Sequence, residues 1–251
     1  MTPALIAPKP DGPRETKKAE VKEASGSWVI TGTKLFVPYA HLADWILYQS
    51  ESEKGTGFYI VDARSEGVQC TLLKTMAFDG LCQVSLDQVK IPLENRLGEI
   101  GKGEEIALRI GEWGALAQSG MIVGLLEKLL ALVVDHAKQR EQFGKPIGSL
   151  QAIQHQCADM LTEIDKAKFL AYQAAWKLSL GMSATREISM AKARASDASR
   201  KVSLLGVKIH GGVGISEEHD VQIYFRKAKA AEVSFGDGLF HREIIAREMG
   251  L

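Results

Sequence analysis

The sequence predicts an α+β protein in which a small β-barrel or sandwich domain precedes an up-down bundle of the four-helix type. Two observations predict this class. Short runs of β-branched and aromatic residues occupy the first hundred positions. After Gly101-Lys102-Gly103 the composition changes, and from Glu104 to Gln139 there is no proline and the apolar residues follow helical spacing. We therefore expect a β domain over residues 1–101 and a helical domain over residues 102–251.

Four segments of the first domain have the length and composition of strands. One of them, over residues 84–89, alternates apolar and polar residues as a half-buried strand does. Turn residues separate the segments, and Gly32 is a turn signal inside the first. The predicted strands cover Ser27–Val37, Trp45–Tyr48, Gly57–Val61 and Val84–Val89.

Three long helices and two shorter ones are predicted in the second domain. The second long helix has apolar residues at steps of mostly three or four between Ile153 and Leu178, as on the seam of a bundle. Small residues in the third permit close packing. The predicted helices cover about Glu104–Gln139, Ile153–Leu178, Ser183–Ile209, Asp220–Ala231 and Leu239–Arg247.

Charge and composition exclude several classes of protein. The 31 basic and 31 acidic residues balance, so the chain has no basic surplus for nucleic acid or an acidic membrane. No run of about 18 apolar residues and no apolar signal-peptide core occur, so we expect no membrane span and a cytoplasmic protein. Cys70, Cys82 and Cys157 have no metal-ligand spacing and are expected to be reduced thiols, and no metal site is predicted.

The segment Arg140-Glu141-Gln142-Phe143-Gly144 combines two groups suited to a phosphorylated aromatic cofactor. The guanidinium of Arg140 is planar, always charged and matched to phosphate oxygens. Phe143 offers a flat apolar face beside it. The alternative is that Arg140 neutralises carbonyls at a helix C-terminus and Phe143 belongs to the core.

A glycine turn, His210-Gly211-Gly212-Val213-Gly214, is the second candidate motif. Glycines let backbone N–H groups approach an anion closely. The preceding residues predict a helix rather than a strand, which excludes a Rossmann fingerprint. A helix C-cap followed by a tight turn fits equally well, and both interpretations can hold together.

These motifs resemble the Arg-x-x-Phe-Gly and Gly-Gly-x-Gly signatures of acyl-CoA dehydrogenases. Ser27–Ala43 is similar to the family's Trp-x-Ile-x-Gly-x-Lys strand pair, Arg140–Met160 to the junction of its first two bundle helices, and Ile209–Arg226 to its glycine turn and following helix. The similar segments occur in the family's order over nearly the whole chain.

The resemblance implies FAD as cofactor, bound between subunits, with Arg140 and Phe143 reaching the FAD of a neighbouring chain. Lys208 stands where most members carry Gln. Phe36 and Pro38 stand where the family often places Trp and Thr beside the flavin ring; Phe36 can stack, whereas Pro38 has no hydrogen to donate. The implied cofactor-binding residues are Arg140, Phe143, Lys208, Gly211, Gly212 and Phe36.

The family reaction removes the α proton of an acyl-CoA thioester with a carboxylate base and passes the β hydrogen to flavin. By resemblance the usual base position is Phe235, ahead of Gly236, which leaves only a backbone N–H to polarise the thioester carbonyl. A second group of members places the base on the first bundle helix, here near Gly114. Glu112, about 200° away on a straight helix, and Asp237 are the remaining base candidates; alternatively they are solvated charges, or an N-cap in the case of Asp237.

We expect the family's N-terminal helical domain to have no counterpart in this sequence, because Leu5-Ile6-Ala7-Pro8 resembles the strand that follows that domain. The resemblance implies a flavoprotein subunit for α,β-dehydrogenation of an acyl-CoA, in a homo- or hetero-oligomer with another such chain and with an electron-transfer flavoprotein as a possible acceptor. The segment from Glu218 to Arg242 resembles a bacterial branch in which complete and degenerate chains pair. A catalytically silent subunit that completes a partner's FAD site, or a truncated fragment, are the alternatives.

Overall fold

The computed structural model describes residues 1–4, 17–52, 55–99 and 101–251. The chain forms two compact units, Met1–Ile110 and Gly111–Leu251, and the division falls inside the first long helix. The predicted domain boundary between residues 101 and 102 stays a prediction. The strand expected from the Leu5–Pro8 segment lies outside the described residues.

The first unit is built from two four-stranded sheets, as the α+β class predicted. One sheet has the order β1-β4-β5-β8, with β1 parallel to β4, and the other has the antiparallel order β2-β3-β7-β6. The strands are β1 (Thr2–Ala4), β2 (Lys17–Ala24), β3 (Ser27–Pro38), β4 (Trp45–Ser52), β5 (Gly55–Asp62), β6 (Val68–Leu72), β7 (Leu81–Pro92) and β8 (Arg96–Leu97).

Both sheets contribute to one apolar core. Alternate residues of β3 and β7, such as Ile30 and Val84, are fully buried together with Ile46 and Val61 of the other sheet. This is the period-2 burial of a sheet with one face on a core. The predicted strands at 45–48, 57–61 and 84–89 all lie within observed strands.

Gly32 is not a turn, contrary to the sequence expectation. β3 runs unbroken from Ser27 to Pro38, and Gly32 pairs with Leu86 of β7 beside a register shift. A glycine inside a strand often marks such an irregularity rather than a chain reversal. The predicted strand pair is therefore one long strand.

The second unit is a helical bundle, and each predicted helix is present. A short helix after the glycine turn, α4, was not predicted. The helices are α1 (Gly103–Gln139), α2 (Gln151–Ser179), α3 (Thr185–His210), α4 (Gly212–Ile215), α5 (Asp220–Val233) and α6 (Gly238–Glu248). Between α1 and α2 lies a hairpin of β9 (Glu141–Gln142) and β10 (Lys145–Pro146).

α3 is the central helix of the bundle, packing against α2, α5 and α6. Its alanines Ala195 and Ala198 are fully buried beside Leu126 of α1 and Ile164 of α2. Small side chains on one helix let the larger ones on its neighbours fill the space between them.

Among the described residues, α1 alone is long and apolar enough to cross a membrane by length and composition, and 33% of its most apolar window is buried. Ile122, Leu126, Leu129 and Val133 of α1 are core residues of the bundle. The core helix of a bundle has this composition without a membrane. The expectation of no membrane span stays a prediction.

Candidate cofactor and acyl-binding sites

The Arg140 motif forms the hairpin that links α1 to α2. The N–H of Arg140 donates to His136 O at 2.8 Å, and the N–H of Ile147 closes the loop onto Arg140 O at 2.8 Å. Phe143 lies at the tip with φ 56° and is 89% exposed. An aromatic ring held outward in a left-handed conformation is not a core residue, so the alternative that Phe143 packs in the core is wrong.

Two of the three glycines of the second motif are required by the structure, each for a different reason. Gly211 ends α3 at φ 62° and ψ −139°, a conformation that only glycine adopts readily. A Cβ on Gly214 would lie 2.6 Å from Val207 O, so Gly214 permits close packing. Gly212 has an ordinary backbone and open space around its Cα, so none of the residues that the structure describes requires a glycine there. The open space at Gly212 is available to a ligand or partner.

Three neighbouring histidines, which we call the histidine stack, place the two motifs at the same end of the bundle. The rings of His136 and His210 are stacked with centroids 4.3 Å apart, and the ring of His219 lies 5.0 Å from His210, tilted by 58°. His136 precedes Arg140 by one helical turn, and His210 adjoins Gly211. Burial first, and then neighbouring positive groups, lower the pKa of His136, while burial is also the main cause that lowers the pKa of His210.

Lys208 is exposed on the last turn of α3, at this same end. Arg140, Phe143, Lys208, Gly211 and Gly212 therefore belong to one region of the second unit. Phe36 belongs to the first unit, where a register shift between Lys34 and Val37 gives it φ 60° and leaves it 50% exposed. Their contacts with FAD stay predictions.

Phe235 and Gly114, the two positions that the resemblance predicted for a base, contact each other, and neither side chain is a carboxylate. The ring of Phe235 packs against Gly114 of α1 so closely that a Cβ on Gly114 would lie 2.3 Å from its carbons. Phe235 itself has φ 56°. Phe235 also packs on a small core cluster that includes Ala115 and Ile188.

Both remaining base candidates accept hydrogen bonds from other residues of the bundle. Glu112 accepts a 2.5 Å hydrogen bond from Thr185 Oγ1 at the start of α3. Asp237 is the N-cap of α6 and accepts from the Phe240 N–H at 2.9 Å, as one of the alternatives anticipated. A catalytic role for either residue stays a prediction.

Two buried side chains donate hydrogen bonds to backbone carbonyls of the turn that carries Phe235, and we call each of these contacts a grip. Lys192 of α3 is fully buried and donates to Gly236 O and Glu232 O, each at 2.8 Å, and to Ser196 Oγ at 3.0 Å. Burial is the largest cause that lowers the pKa of Lys192 to about 8, against the opposing attraction of nearby carboxylates. His241 of α6 is 4% exposed, and its Nε2 donates to Phe235 O at 2.9 Å.

Sequence reasoning missed Lys192, His241 and the histidine stack. One signal was available for Lys192: it interrupts the run of small residues, Ala191, Ala193 and Ala195, that faces the core, where an unpaired lysine is costly. The histidines are far apart in sequence, and only the packing of helix ends joins them.

Comparison with known proteins agrees with this fold and these motifs. The family model for the acyl-CoA dehydrogenase C-terminal domain matches residues 101–250. The bundle has the fold of that C-terminal domain, and the chain belongs to the acyl-CoA dehydrogenase family.

Individual relatives extend the likeness into the first unit. The Caffeyl-CoA reductase-Etf complex subunit CarC of Acetobacterium woodii is 34% identical over 229 residues, covering 87% of this chain and 60% of that protein. Butyryl-CoA dehydrogenase from Megasphaera elsdenii superposes with a TM-score of 0.91 at 28% identity, covering 100% of this chain and 68% of that one. A chain of the ChsE4-ChsE5 complex from Mycobacterium tuberculosis gives 0.88 at 29% identity, covering 99% and 65%. The chain thus spans about three fifths of the length of the curated relatives it matches.

Proposed function

We propose that the chain is a subunit of an FAD-dependent flavoprotein that catalyses α,β-dehydrogenation of an acyl-CoA thioester. The observation that carries this is the convergence, at one end of the bundle, of Arg140, the exposed Phe143 ring and the open Gly211–Gly212 turn. When bound, FAD supplies the acceptor for the hydride.

The residues at this bundle end fit the phosphate and aromatic parts of FAD. Arg140 and Lys208 are exposed cations, and Arg140 presents a fork matched to phosphate oxygens. Gly212 leaves room for a close approach to its backbone. Phe143 offers a flat apolar surface that the described part of the chain leaves 89% exposed.

The separation of the two candidate sites favours an oligomer. Gly114 and Gln139 lie about 38 Å apart along α1, since the helix rises about 1.5 Å per residue. This separation supports the proposal that Arg140 and Phe235 serve different copies of the cofactor. Chains that share cofactor sites in this way are complete only when assembled, as homo- or hetero-oligomers.

A second candidate function is a catalytically silent subunit that completes the FAD site of its partner. Phe235 packed on Gly114 favours it, because neither residue can accept a proton and loss of a general base typically costs about 10²–10⁴ in rate. In an active subunit, Glu112 or Asp237 would have to leave its present hydrogen bond.

Further parts of the proposal rest on the relatives. CarC is named for a complex with Etf, and we extend this to an electron-transfer flavoprotein as acceptor here. The ChsE4-ChsE5 structure is of a complex of two chains, which supports a heteromeric partner. We also expect the protein to act in lipid metabolism in the cytoplasm.

The flavin spectrum of the purified assembly tests the cofactor proposal. We expect the purified assembly to show the visible absorbance band of flavin. In Arg140→Met we expect at least a tenfold weaker FAD affinity, because a charge-assisted phosphate contact contributes about 1.5–3 kcal/mol. Lys145→Met, which removes a charge from the same hairpin, is the matched control and should bind FAD normally. Absence of flavin from the chain alone and from its complexes would contradict the proposal.

A further inference from the structure

The backbone of the Phe235–Gly236 turn is set by buried side chains from two other helices. Phe235 O and Gly236 O are consecutive carbonyls, and they accept hydrogen bonds from His241 Nε2 and Lys192 Nζ respectively. Phe235 and Gly236 have φ values of 56° and 91°. A left-handed Phe is strained and persists only where its surroundings enforce it.

In each grip, the donor side chain also forms a hydrogen bond with a serine of α3. His241 Nε2 must donate, since Phe235 O only accepts, and burial is the main cause that lowers the pKa of His241. The neutral ring then accepts from Ser189 Oγ at Nδ1, over 3.3 Å. Ser196 bonds both Lys192 Nζ and Glu232 O, so each grip has a serine that orients it.

The geometry of the peptide bond converts these grips into an orientation of the turn. Each peptide is planar and trans, so its N–H points opposite to its C=O. With Phe235 O directed at His241, the N–H of Gly236 points away from the imidazole. With Gly236 O directed at Lys192, the N–H of Asp237 points away from the ammonium group.

The same grips hold the Phe235 ring in the notch at Gly114. Three elements around the turn fix it: α3 through Lys192, α6 through His241, and α1 through the contact at Gly114. A Cβ on Gly236 would lie 2.3 Å from the Phe240 ring, so the chain has no room to relax on that side.

We propose, on the basis of the acyl-CoA function above, that Lys192 and His241 are positioning residues. They act through the backbone of the Phe235–Gly236 turn, holding its N–H groups toward the thioester carbonyl of the acyl ligand and its phenyl ring against the acyl chain. Preorganised donors of this kind are effective because they need no rearrangement when the ligand binds.

His241 offers a pair of variants that separates positioning from stability. His241→Gln keeps an N–H donor for Phe235 O, whereas His241→Leu fills the space without one. We expect amide hydrogen exchange in the peptide around residues 234–238 to rise about tenfold or more in His241→Leu and to change little in His241→Gln. This measurement needs no ligand, so it tests the grip even if the acyl-CoA function fails.

The second measurement is the infrared frequency of the thioester carbonyl stretch. The ligand is a short saturated acyl-CoA, labelled with ¹³C at the thioester carbonyl and bound to the flavin-loaded assembly. We expect binding to lower this frequency in the wild type and in His241→Gln. In His241→Leu and Lys192→Met we expect a smaller shift and about tenfold weaker binding. Lys128→Met, at an exposed lysine of α1, is the control. A role in stability alone would lower Tm but leave the carbonyl band where it is.

Ser189→Ala with Ser196→Ala covers the case in which His241→Leu does not fold. Both serines are buried, and each substitution removes one hydroxyl. Lys192 and His241 then remain as donors, but the serines no longer orient them. If amide exchange and the carbonyl frequency are both unchanged in this folded double variant, the inference is overturned. No acyl-CoA or FAD binding by the wild type, with exchange responding as expected, overturns the proposed function and confines the two residues to shaping the turn.

Discussion

At the scale of single residues, Phe235 and Gly114 constrain one another directly. The Phe235 ring fills the space that a side chain at position 114 would occupy, so the two exclude each other. Both are positions that the resemblance predicted for a base, and neither residue can accept a proton.

Gly114→Ala should therefore lower the free energy of unfolding by about 1–3 kcal/mol, the usual cost of overpacking. Gly111→Ala is the matched control, since a Cβ there meets nothing within 4 Å. It should raise stability by up to about 1 kcal/mol through helix propensity. Urea unfolding measures both; a Gly114→Ala protein as stable as Gly111→Ala would show that the Phe235 ring is free to move.

Phe235→Glu tests whether a carboxylate at position 235 can act as the base for acyl-CoA oxidation. In an assembly that binds FAD, we expect the rate of acyl-CoA oxidation at this site to rise about 10²-fold or more, since a general base contributes about 10²–10⁴. The control Phe235→Leu adds no carboxylate and should give no gain. Unchanged turnover in a folded, flavin-loaded Phe235→Glu protein would favour a silent subunit.

At the scale of elements, the ends of α1 and α3 carry the histidines and the two candidate cofactor-binding motifs. The end of α1 supplies His136 and the Arg140 hairpin, and the end of α3 supplies His210 and the glycine turn. His210 Nδ1 lies 2.8 Å from Gly206 O, which fixes its ring within the stack. The stack thus joins two connections that are distant in sequence, and its protonation bears on both.

Acidification should destabilise the bundle. Burial lowers the pKa of His136, His210 and His241 in the folded state, so the unfolded chain binds protons first as the pH falls through about 6.5. The stability that these histidines contribute is complete above that pH and is lost below it. Carboxylates such as Glu163, whose pKa is also lowered, lose their contribution at lower pH.

Thermal unfolding between pH 7.5 and 5.5 therefore isolates the histidines. Tm should fall across this range, and less steeply in His136→Gln, where one titrating member of the stack is removed. His155→Gln, at an exposed histidine of α2, should retain the wild-type slope. Equal slopes in all three proteins would show that the stack does not couple protons to folding.

At the scale of the whole molecule, the distribution of the sites favours assembly. Phe143 is exposed, Gly212 is open, and the Phe235 turn lies far along α1 from both. The ordered motifs predicted the family and the arrangement of a β domain before a bundle, and both are confirmed. A measurement of the native mass tests the composition of the assembly, because the mass includes any bound flavin and any second chain.

The sequence by itself determined what local patterns can encode. Helical spacing predicted α1, α2 and α3, and the Arg140 and Gly211 motifs predicted the family, because periodicity and short signatures are properties of neighbouring residues. The tertiary structure alone decided the rest. Packing between helices places the Phe235 ring at Gly114, brings Lys192 and His241 to its turn, and stacks His136 on His210. Such contacts join residues tens of positions apart, and no local pattern records which side chains will meet.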